Sequence, residues 1–458
     1  MKKVLIYIIG MILCCNTLSA VAVTYSGTLP VIFINAVDSI NSKTNYVGAS
    51  FYIDPMGCEG IESVGTQEAP LPLLIRGRGN WTWWGPFEKK SYKIKLTEGL
   101  PLLGMGKNKH FALLAHADGN LPFFRNTAAF ELSRQLELSF TPSQQPVELV
   151  LNGEYMGLYF FTETVRVGQR RVNIVEQDDY ETDANLITGG WLVEIDNAED
   201  AHQLHISVSG TNLSYWWITY HSPENLSSEQ RNYLRYQMTR ILATIYNGNK
   251  TETSWPSLLD LDNTTRFYLL HEMIDNIEAY LGSCYFYKDR AEEKWRFGPV
   301  WDCGSAFNSW HAKNRYIYDY DDWGSCIMEE IAKFPVFQKH VKELWYKNAN
   351  TLYHSLSSYM QQFAEQIRVA AQHDYERWPM YGCNDVDEAL RRCERIMKEK
   401  ETFLVREWGK YEGYSSINAA ELSIQPTDDC IYNLQGQRVI GSINKGVFIK
   451  NGKKYIQR

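Results

Sequence analysis

The sequence predicts an α+β protein with a β-rich N-terminal part, a mainly helical C-terminal part and a small terminal β module. Short apolar runs separated by turns rich in Gly, Asn and Ser fill the first third of the chain, which is typical of strands. Apolar residues with a helical period dominate after residue 227, and alternating segments return near the end. The length of 458 residues, with 44% hydrophobic and 22% charged residues, fits a globular protein of more than one structural unit.

The charge and hydropathy of the chain argue against nucleic-acid binding and against a membrane-spanning segment. The formal net charge of −8 disfavours delocalised binding to nucleic acid, so no nucleic-acid partner is expected. After the N-terminal leader, no segment approaches the ~20 uncharged apolar residues that a membrane-spanning helix needs. We therefore expect no transmembrane segment in the mature chain.

The N-terminus has the pattern of a cleaved secretory signal. Residues 1–22 contain two lysines, an apolar run and the small-x-small sequence Ala20-Val21-Ala22, which suits signal peptidase. This predicts an exported protein, located in the periplasm, on the cell surface or outside the cell. Cys14 and Cys15 offer a lipoprotein signal as the alternative, but the bulky Leu13 before them disfavours it.

The predicted strands of the N-terminal part follow in order. A β-rich segment covers residues 23–69, and the Gly-rich loop RGRGN comes at 76–80. Apolar and polar residues alternate over 91–96, which predicts a strand with Lys93 on its polar face. A helix is predicted over 122–138, and the sequence Asn152-Gly153 predicts the two-residue turn of a hairpin.

The C-terminal part is predicted to be mainly helical around one further hairpin. A strand up to Lys288 and the run WRFGPVWD are joined by a polar turn, which brings Glu278 and Asp302 towards the same end of the hairpin. Long helices are expected over 336–372 and 386–408. A linker over residues 411–428 and a terminal β module over 429–458 complete the chain.

Several charged residues have chemistry that suits phosphoryl transfer. Arginine binds phosphate with two donors, and lysine adds a point charge, so we select four basic residues as phosphate ligands. Glu163 is a candidate to orient a lysine. Glu278 suits acceptance of a hydroxyl proton, and Asp302 suits coordination of magnesium. The four basic candidates are Arg76, Arg78, Lys90 and Lys93.

The basic candidates and Glu163 also have ordinary structural interpretations. RGRGN can be a simple turn, and the lysines from Lys89 to Lys95 can be the solvated face of an edge strand. Glu163 can be a surface or salt-bridge residue.

The signatures of common hydrolases are missing from the sequence, which contains no GxSxG and only a broken HExxH motif at His271-Glu272.

Five ordered sequence blocks resemble the CotH (spore coat protein H) kinase family. They are GRGNWTWWGPFEKKSYKIKL, LLGMGKNKHFALLAHADGNLPFFRNTAAFELSRQL, PVELVLNGEYMGLYFFTETV, GGWLVEID and NIEAYLGSCYFYKDRAEEKWRFGPVWDCGSAFN. The resemblance implies an atypical protein-kinase-like domain with two lobes, which we place at residues 70–410. It also implies ATP and a divalent metal such as Mg²⁺ as cofactors, and a protein side chain as the phosphate acceptor.

The resemblance also assigns roles to single residues. Asp302 in GPVWD matches the family's metal-binding aspartate, and Lys93, with Lys90 as competitor, falls where the family contacts ATP phosphates. Glu163 would orient the lysine or bind metal. Glu278 stands where the family has its catalytic aspartate.

Two departures from the family pattern support a second interpretation. Trp81 replaces a small hydroxyl residue, and Gly304 replaces a second acidic or amide residue, for which Asn308 is the candidate substitute. The alternative to an active kinase is therefore a pseudokinase or a surface or periplasmic protein that binds a glycan or peptide.

The terminal module resembles another group of sequences. The segments YNLQGQRV, KGVFI and NGKK are similar to the C-terminal β tails of exported proteins from Bacteroidetes-type bacteria. Some of these tails are sorting signals, which is the role that this resemblance implies.

Overall fold

The structure is a computed structural model that describes most of the chain between residues 24 and 414. The described residues are 24–117, 121, 123–196, 201–209, 216–251, 254–290, 292–308, 311–319, 326–380, 383–414, 431–432, 446–450 and 453–457. The predicted signal peptide and most of the predicted linker lie outside them.

The N-terminal part forms a closed barrel of seven strands in the order β1-β2-β3-β4-β5-β7-β6. Neighbouring strands are antiparallel, except that β1 and β6 close the barrel in parallel. The strands are β1 (Val31–Ala36), β2 (Val47–Asp54), β3 (Leu71–Arg78), β4 (Ser91–Leu100), β5 (Asn108–Leu114), β6 (Gln144–Leu151) and β7 (Glu154–Glu163). The barrel runs across the predicted boundary at residues 69–70, because β2 pairs with β3.

Alternating side chains fill the barrel. Tyr92, Ile94 and Leu96 of β4 are buried in its apolar core, while the intervening lysines point to the other face of the strand. The hairpin between β6 and β7 turns at Asn152 and Gly153, whose φ angles of 53° and 81° are those that a two-residue hairpin turn requires.

A second sheet lies beside the helical part and has the strand order β12-β11-β8-β10-β9. Its strands are β8 (Trp191–Ile195), β9 (Gln203–Ile206), β10 (Trp216–Ser222), β11 (Cys284–Lys288) and β12 (Arg296–Phe297). The helices are α1 (Trp81–Trp84), α2 (Arg125–Gln135), α3 (Ser228–Asn247), α4 (Leu261–Met273), α5 (Ile327–Ala332), α6 (Pro335–Arg377) and α7 (Val386–Trp408). One apolar core joins this sheet to the helices and to one side of the barrel.

A buried ion pair fastens the long helix α6 to the barrel. Lys89 Nζ lies 2.7 Å from Asp374 Oδ1, and both side chains are almost fully buried. Lys89 also donates to the Leu158 carbonyl at 2.8 Å, and the Leu158 amide donates to Asp374 at 2.9 Å. Lys89 is therefore not part of a solvated strand face, and removal of either charge would leave the other buried without a partner, at a cost of about 3–5 kcal/mol.

The α+β prediction is confirmed, with a β-rich N-terminal part and a helical C-terminal part. A three-stranded sheet is present near the end of the chain, made of β13 (Ile431–Tyr432), β14 (Gly446–Lys450) and β15 (Lys453–Gln457). Across the described residues, none of the helices combines the length and the apolar character needed to cross a membrane. Every cysteine within that part of the chain is unbridged.

Candidate functional site

Two adjoining cavities lie between the barrel and the second sheet. The first, here called the acidic cleft, has a volume of about 520 Å³ and contains Asp196, Glu278 and Asp302 in its lining. The second, here called the adjacent cleft, has a volume of about 660 Å³ and contains Lys93 and Arg166. Both volumes lie in the range typical of small-molecule sites. Arg78 and Trp301 line both cavities.

Glu278 and Asp302 line the same cleft because a short hairpin joins the segments that carry them. Glu278 lies in the turn between α4 and β11, and Asp302 follows β12, which pairs antiparallel with β11. The Phe307 amide donates to the Ile274 carbonyl at 2.8 Å, so the two segments are also bonded to each other beyond the hairpin. The sequence expectation that the two acids share a site agrees with their common place in the acidic cleft.

Asp302 is an exposed residue in the lining of the cleft, although protein surrounds it on its other sides. Surrounding protein raises the pKa of Asp302, Arg78 opposes that rise, and Glu194 and Glu278 add to it. Its φ of 55° is a left-handed conformation that a non-glycine residue adopts only when its surroundings enforce it. This combination of constraint and accessibility suits a metal ligand.

Arg78, the last residue of β3, connects the two cavities. Its guanidinium lies over the Trp301 ring, 5.5 Å from the ring centroid. Burial lowers the pKa of Arg78, and the negative charge of Asp302 opposes that shift. A guanidinium remains protonated despite such a shift, so Arg78 is a permanent cation beside the acids.

Lys93 lines the adjacent cleft but not the acidic one. It lies on the outer face of β4, in register with Arg76 on β3. Burial lowers the pKa of Lys93 to about 8, helped by the positive charges of Arg76, Arg166 and Arg78. The structure thus brings Lys93 beside Arg78, one cavity away from Glu278 and Asp302.

The other two basic candidates face neither cavity. The Arg76 guanidinium lies over the Tyr46 ring, 5.0 Å from its centroid. Lys90 Nζ donates to the Trp83 carbonyl at 2.7 Å and thereby supports helix α1. Arg76 contributes positive charge near Lys93, whereas Lys90 has a structural contact in place of the predicted phosphate contact.

Glu163 differs most from its expected role. The pairing of β4, β5 and β7 places Lys93 on the same face as Ala112 and Thr162, which is opposite to the face of Glu163. Glu163 accepts from the Ser143 amide at 3.0 Å, and its other oxygen lies 3.7 Å from Arg171 Nε. Glu163 therefore pairs with Arg171 and does not orient Lys93.

The acidic cleft also contains residues that sequence reasoning did not select. Asp196 follows β8 directly, and its place at the end of the apolar strand WLVEI was the available signal. Asn126, in the first turn of α2, accepts a hydrogen bond from the Cys303 amide at 2.7 Å. That bond fixes the backbone immediately after Asp302.

The residues of the acidic cleft fit a magnesium ion that is held mainly by its substrate. Within the described part of the chain, no three His, Cys, Asp or Glu side chains are arranged as a ready metal site. Asn308 does not replace the missing ligand at Gly304, because its amide donates to Asp275 and is buried outside the cleft. Magnesium is commonly held by one or two carboxylates, with water and phosphate completing its shell, and Asp302 offers such a ligand.

Comparison with protein-family models identifies the family to which the two cavities belong. The family model described as CotH kinase protein matches residues 75–404, from within β3 to near the end of α7. All the residues named above as lining the two cavities lie inside this range. No curated protein matches the chain.

Proposed function

Because the chain belongs to the CotH kinase family, we propose that it is a protein kinase that transfers the γ-phosphate of ATP to a hydroxyl group of a protein. The observation that carries the proposal is the common place of Arg78, Glu278 and Asp302 in one cleft. A cation for phosphate, a base for the hydroxyl and a metal ligand are the parts that phosphoryl transfer needs.

The adjacent cleft suits the nucleotide. Its volume suits a small molecule, and Lys93 with Arg78 offers positive charge for phosphate oxygens. Since Arg78 and Trp301 border both cavities, a nucleotide seated there would direct its terminal phosphate towards Asp302. The acidic cleft would then receive the acceptor hydroxyl.

The chemical step follows from the residues of the acidic cleft. Glu278 is exposed to the cleft and would take the proton of the acceptor hydroxyl. The hydroxyl oxygen forms a bond to the γ-phosphorus while the bond from that phosphorus to the β–γ bridging oxygen breaks, and ADP leaves with that oxygen. Arg78 would neutralise charge on the transferred group. Magnesium bound through Asp302 would supply further positive charge at the phosphates.

The proposal includes an exported location. The leader-like sequence of residues 1–22 supports the periplasm, the cell surface or the exterior as the final compartment. The similarity of residues 429–458 to terminal sorting tails supports a role for that module in delivery of the protein. The acceptor would then be another exported protein.

A binding protein without catalysis is the second candidate, and one observation favours it. Trp81 and Trp84 on α1 are 66% and 73% exposed, and Trp81 lines the acidic cleft. Large exposed aromatic side chains beside a cavity often mark a ligand surface. With Gly304 in place of an acidic residue, the cleft would then hold a glycan or peptide beside these rings.

Thermal stability measured with Mg-ATP separates the two candidates. A ligand at a hundredfold excess over its Kd stabilises the folded state by about 2.7 kcal/mol. We expect such stabilisation in the wild type and its loss in Asp302→Asn. The matched control is Asp38→Asn, which changes an exposed carboxylate outside both cavities. No response to Mg-ATP, combined with stabilisation by glycans or peptides, would favour the binding protein.

A further inference from the structure

A fully buried cluster of charges lies behind the acidic cleft. Glu272, Asp275 and Lys400 have no exposed surface, and Lys313 is almost as deeply buried. Two carboxylates therefore face two ammonium groups in the interior of the helical part. Buried charges carry a large desolvation cost, so such a cluster contributes little net stability but specifies one arrangement of the chain segments that it joins.

The cluster is centred on Lys400 of helix α7. Lys400 Nζ lies 2.7 Å from Glu272 Oε2 and 3.4 Å from Asp275 Oδ1. It also donates to the Arg315 carbonyl at 2.7 Å. One ammonium group thus holds the end of α4, the turn after it and the segment that follows Asp302.

Further contacts join the same two segments. Lys313 Nζ lies 2.5 Å from Asp275 Oδ2, and Asn308 donates to the same carboxylate. The Ile317 amide donates to Glu272 Oε1 at 3.1 Å. Asp275 and Glu272 belong to the segment that carries Glu278, whereas Asn308, Lys313 and Ile317 follow Asp302 in the chain.

Both segments contain strained backbone that needs such support. Asp275 and Ser283 lie on either side of Glu278 and have φ angles of 51° and 52°. Asp302 itself and Phe307 have φ angles of 55° and 52°. Non-glycine residues keep this left-handed conformation only when surrounding contacts enforce it, and for Asp275 those contacts are the lysines of the cluster.

We propose that Lys400 is a positioning residue, whose ammonium holds the Glu278 turn and the segment after Asp302 in the relative placement that the reaction requires. The expected effect of Lys400 on kcat rests on the proposed kinase function. Its expected effect on the coupling of the two segments does not.

The test compares Lys400→Met with the double variant Lys400→Met/Glu272→Gln. The single variant leaves two carboxylates facing one ammonium group, whereas the double variant restores the balance of charge. Lys398→Met is the matched control, since Lys398 lies on the same helix and pairs with Glu401 instead. Amide hydrogen exchange is measured in each, together with kcat and KM for ATP.

In Lys400→Met we expect faster exchange over residues 274–283 and 303–308, with exchange in the barrel unchanged. The kcat should fall by about 100-fold, as for a displacement of ~1 Å, while KM for ATP stays near the wild-type value. The double variant, which has no uncompensated carboxylate but still lacks the ammonium, should regain stability against unfolding while keeping the faster exchange of the two segments and the lower kcat, and Lys398→Met should show none of these effects. If the single variant does not fold, the double variant is compared with Glu272→Gln, which keeps the Lys400 ammonium and should show the more native exchange of the two segments.

Unchanged exchange in the two segments would overturn the proposal, as would faster exchange throughout the protein or a double variant whose exchange and kcat equal those of the wild type. A wild type that transfers no phosphate would instead contradict the proposed function. The exchange results would still decide whether Lys400 couples the segments.

Discussion

The guanidinium of Arg78 lies over the indole ring of Trp301, 5.5 Å from its centroid, and these two residues form the boundary between the acidic cleft and the adjacent cleft. Arg78 ends a barrel strand, and Trp301 immediately precedes Asp302. The contact therefore ties the barrel to the segment that carries the proposed metal ligand. It also places the positive charge of Arg78 in the lining of both cavities.

The affinity for Mg-ATP should depend on pH through Lys93. Burial and neighbouring positive charges lower the pKa of Lys93 to about 8. Its ammonium is therefore present below that pH and is lost as the pH rises through it. Since the neutral amine does not attract phosphate, the affinity should fall by up to about tenfold per pH unit above that value. Calorimetric titration across this range measures the effect.

The matched variants for this prediction lie on one strand face. Lys93→Met should bind Mg-ATP more weakly below pH 8 and lose the dependence on pH. Lys95→Met changes an exposed lysine two residues along β4 and should behave as the wild type. A pH profile that survives in Lys93→Met would show that another group is responsible.

Glu278→Gln should separate nucleotide binding from transfer. The amide keeps the size of the side chain but cannot take up the proton, so kcat should fall by about 10²–10⁴-fold. The affinity for Mg-ATP should change little, because Glu278 is assigned to the acceptor. Glu62→Gln, at an exposed position in the N-terminal part, is the control. Equal losses in binding and kcat would contradict the assignment of Glu278 as the base.

A carboxylate at position 304 should strengthen metal binding. Gly304 lines the acidic cleft two residues after Asp302, so Gly304→Asp would add a second oxygen ligand beside the first. We expect Mn²⁺ titration to show an affinity increase on the order of tenfold. Gly304→Ala also replaces the glycine but adds no charge, so it should leave the affinity for Mn²⁺ unchanged. An equal response of both variants would show that a carboxylate at position 304 does not reach the metal and would contradict this prediction.

Gly77 should be intolerant of any side chain. A Cβ atom there would lie 2.3 Å from the buried ring of Trp83, which cannot move without displacing α1. Gly77→Ala should lower the free energy of unfolding by about 1–3 kcal/mol through overpacking. Gly168→Ala meets no atom within 4 Å and should change it by less than about 1 kcal/mol. Denaturant unfolding of both variants makes the comparison.

The features that the sequence predicted well depend on short stretches of chain. Alternation over β4 predicted which side chains enter the barrel, and Asn152-Gly153 predicted the turn between β6 and β7. Glu278 and Asp302 could be brought together because a hairpin lies between them in the sequence. Each of these inferences uses contacts between neighbouring or consecutive elements.

The features that the sequence did not predict depend on distant partners. In the sequence, Lys89 is as much a candidate for a solvated strand face as Lys93, but in the structure it forms a buried ion pair with Asp374 of α6. Glu163 is bound by Arg171 on the other face of the sheet from Lys93. The separation of Lys93 from the acids likewise depends on the packing of Trp301 against Arg78, which no local pattern encodes.

Transfer of labelled γ-phosphate from ATP to a library of peptides containing Ser, Thr and Tyr tests the central claim most directly. The wild type and Asp38→Asn should label acceptors in the presence of magnesium, and Asp302→Asn should not, although all three remain folded. Labelled peptides would also identify the acceptor residue. Absence of transfer by the wild type, or transfer that persists in Asp302→Asn, would contradict the account of this cleft as a phosphoryl-transfer site.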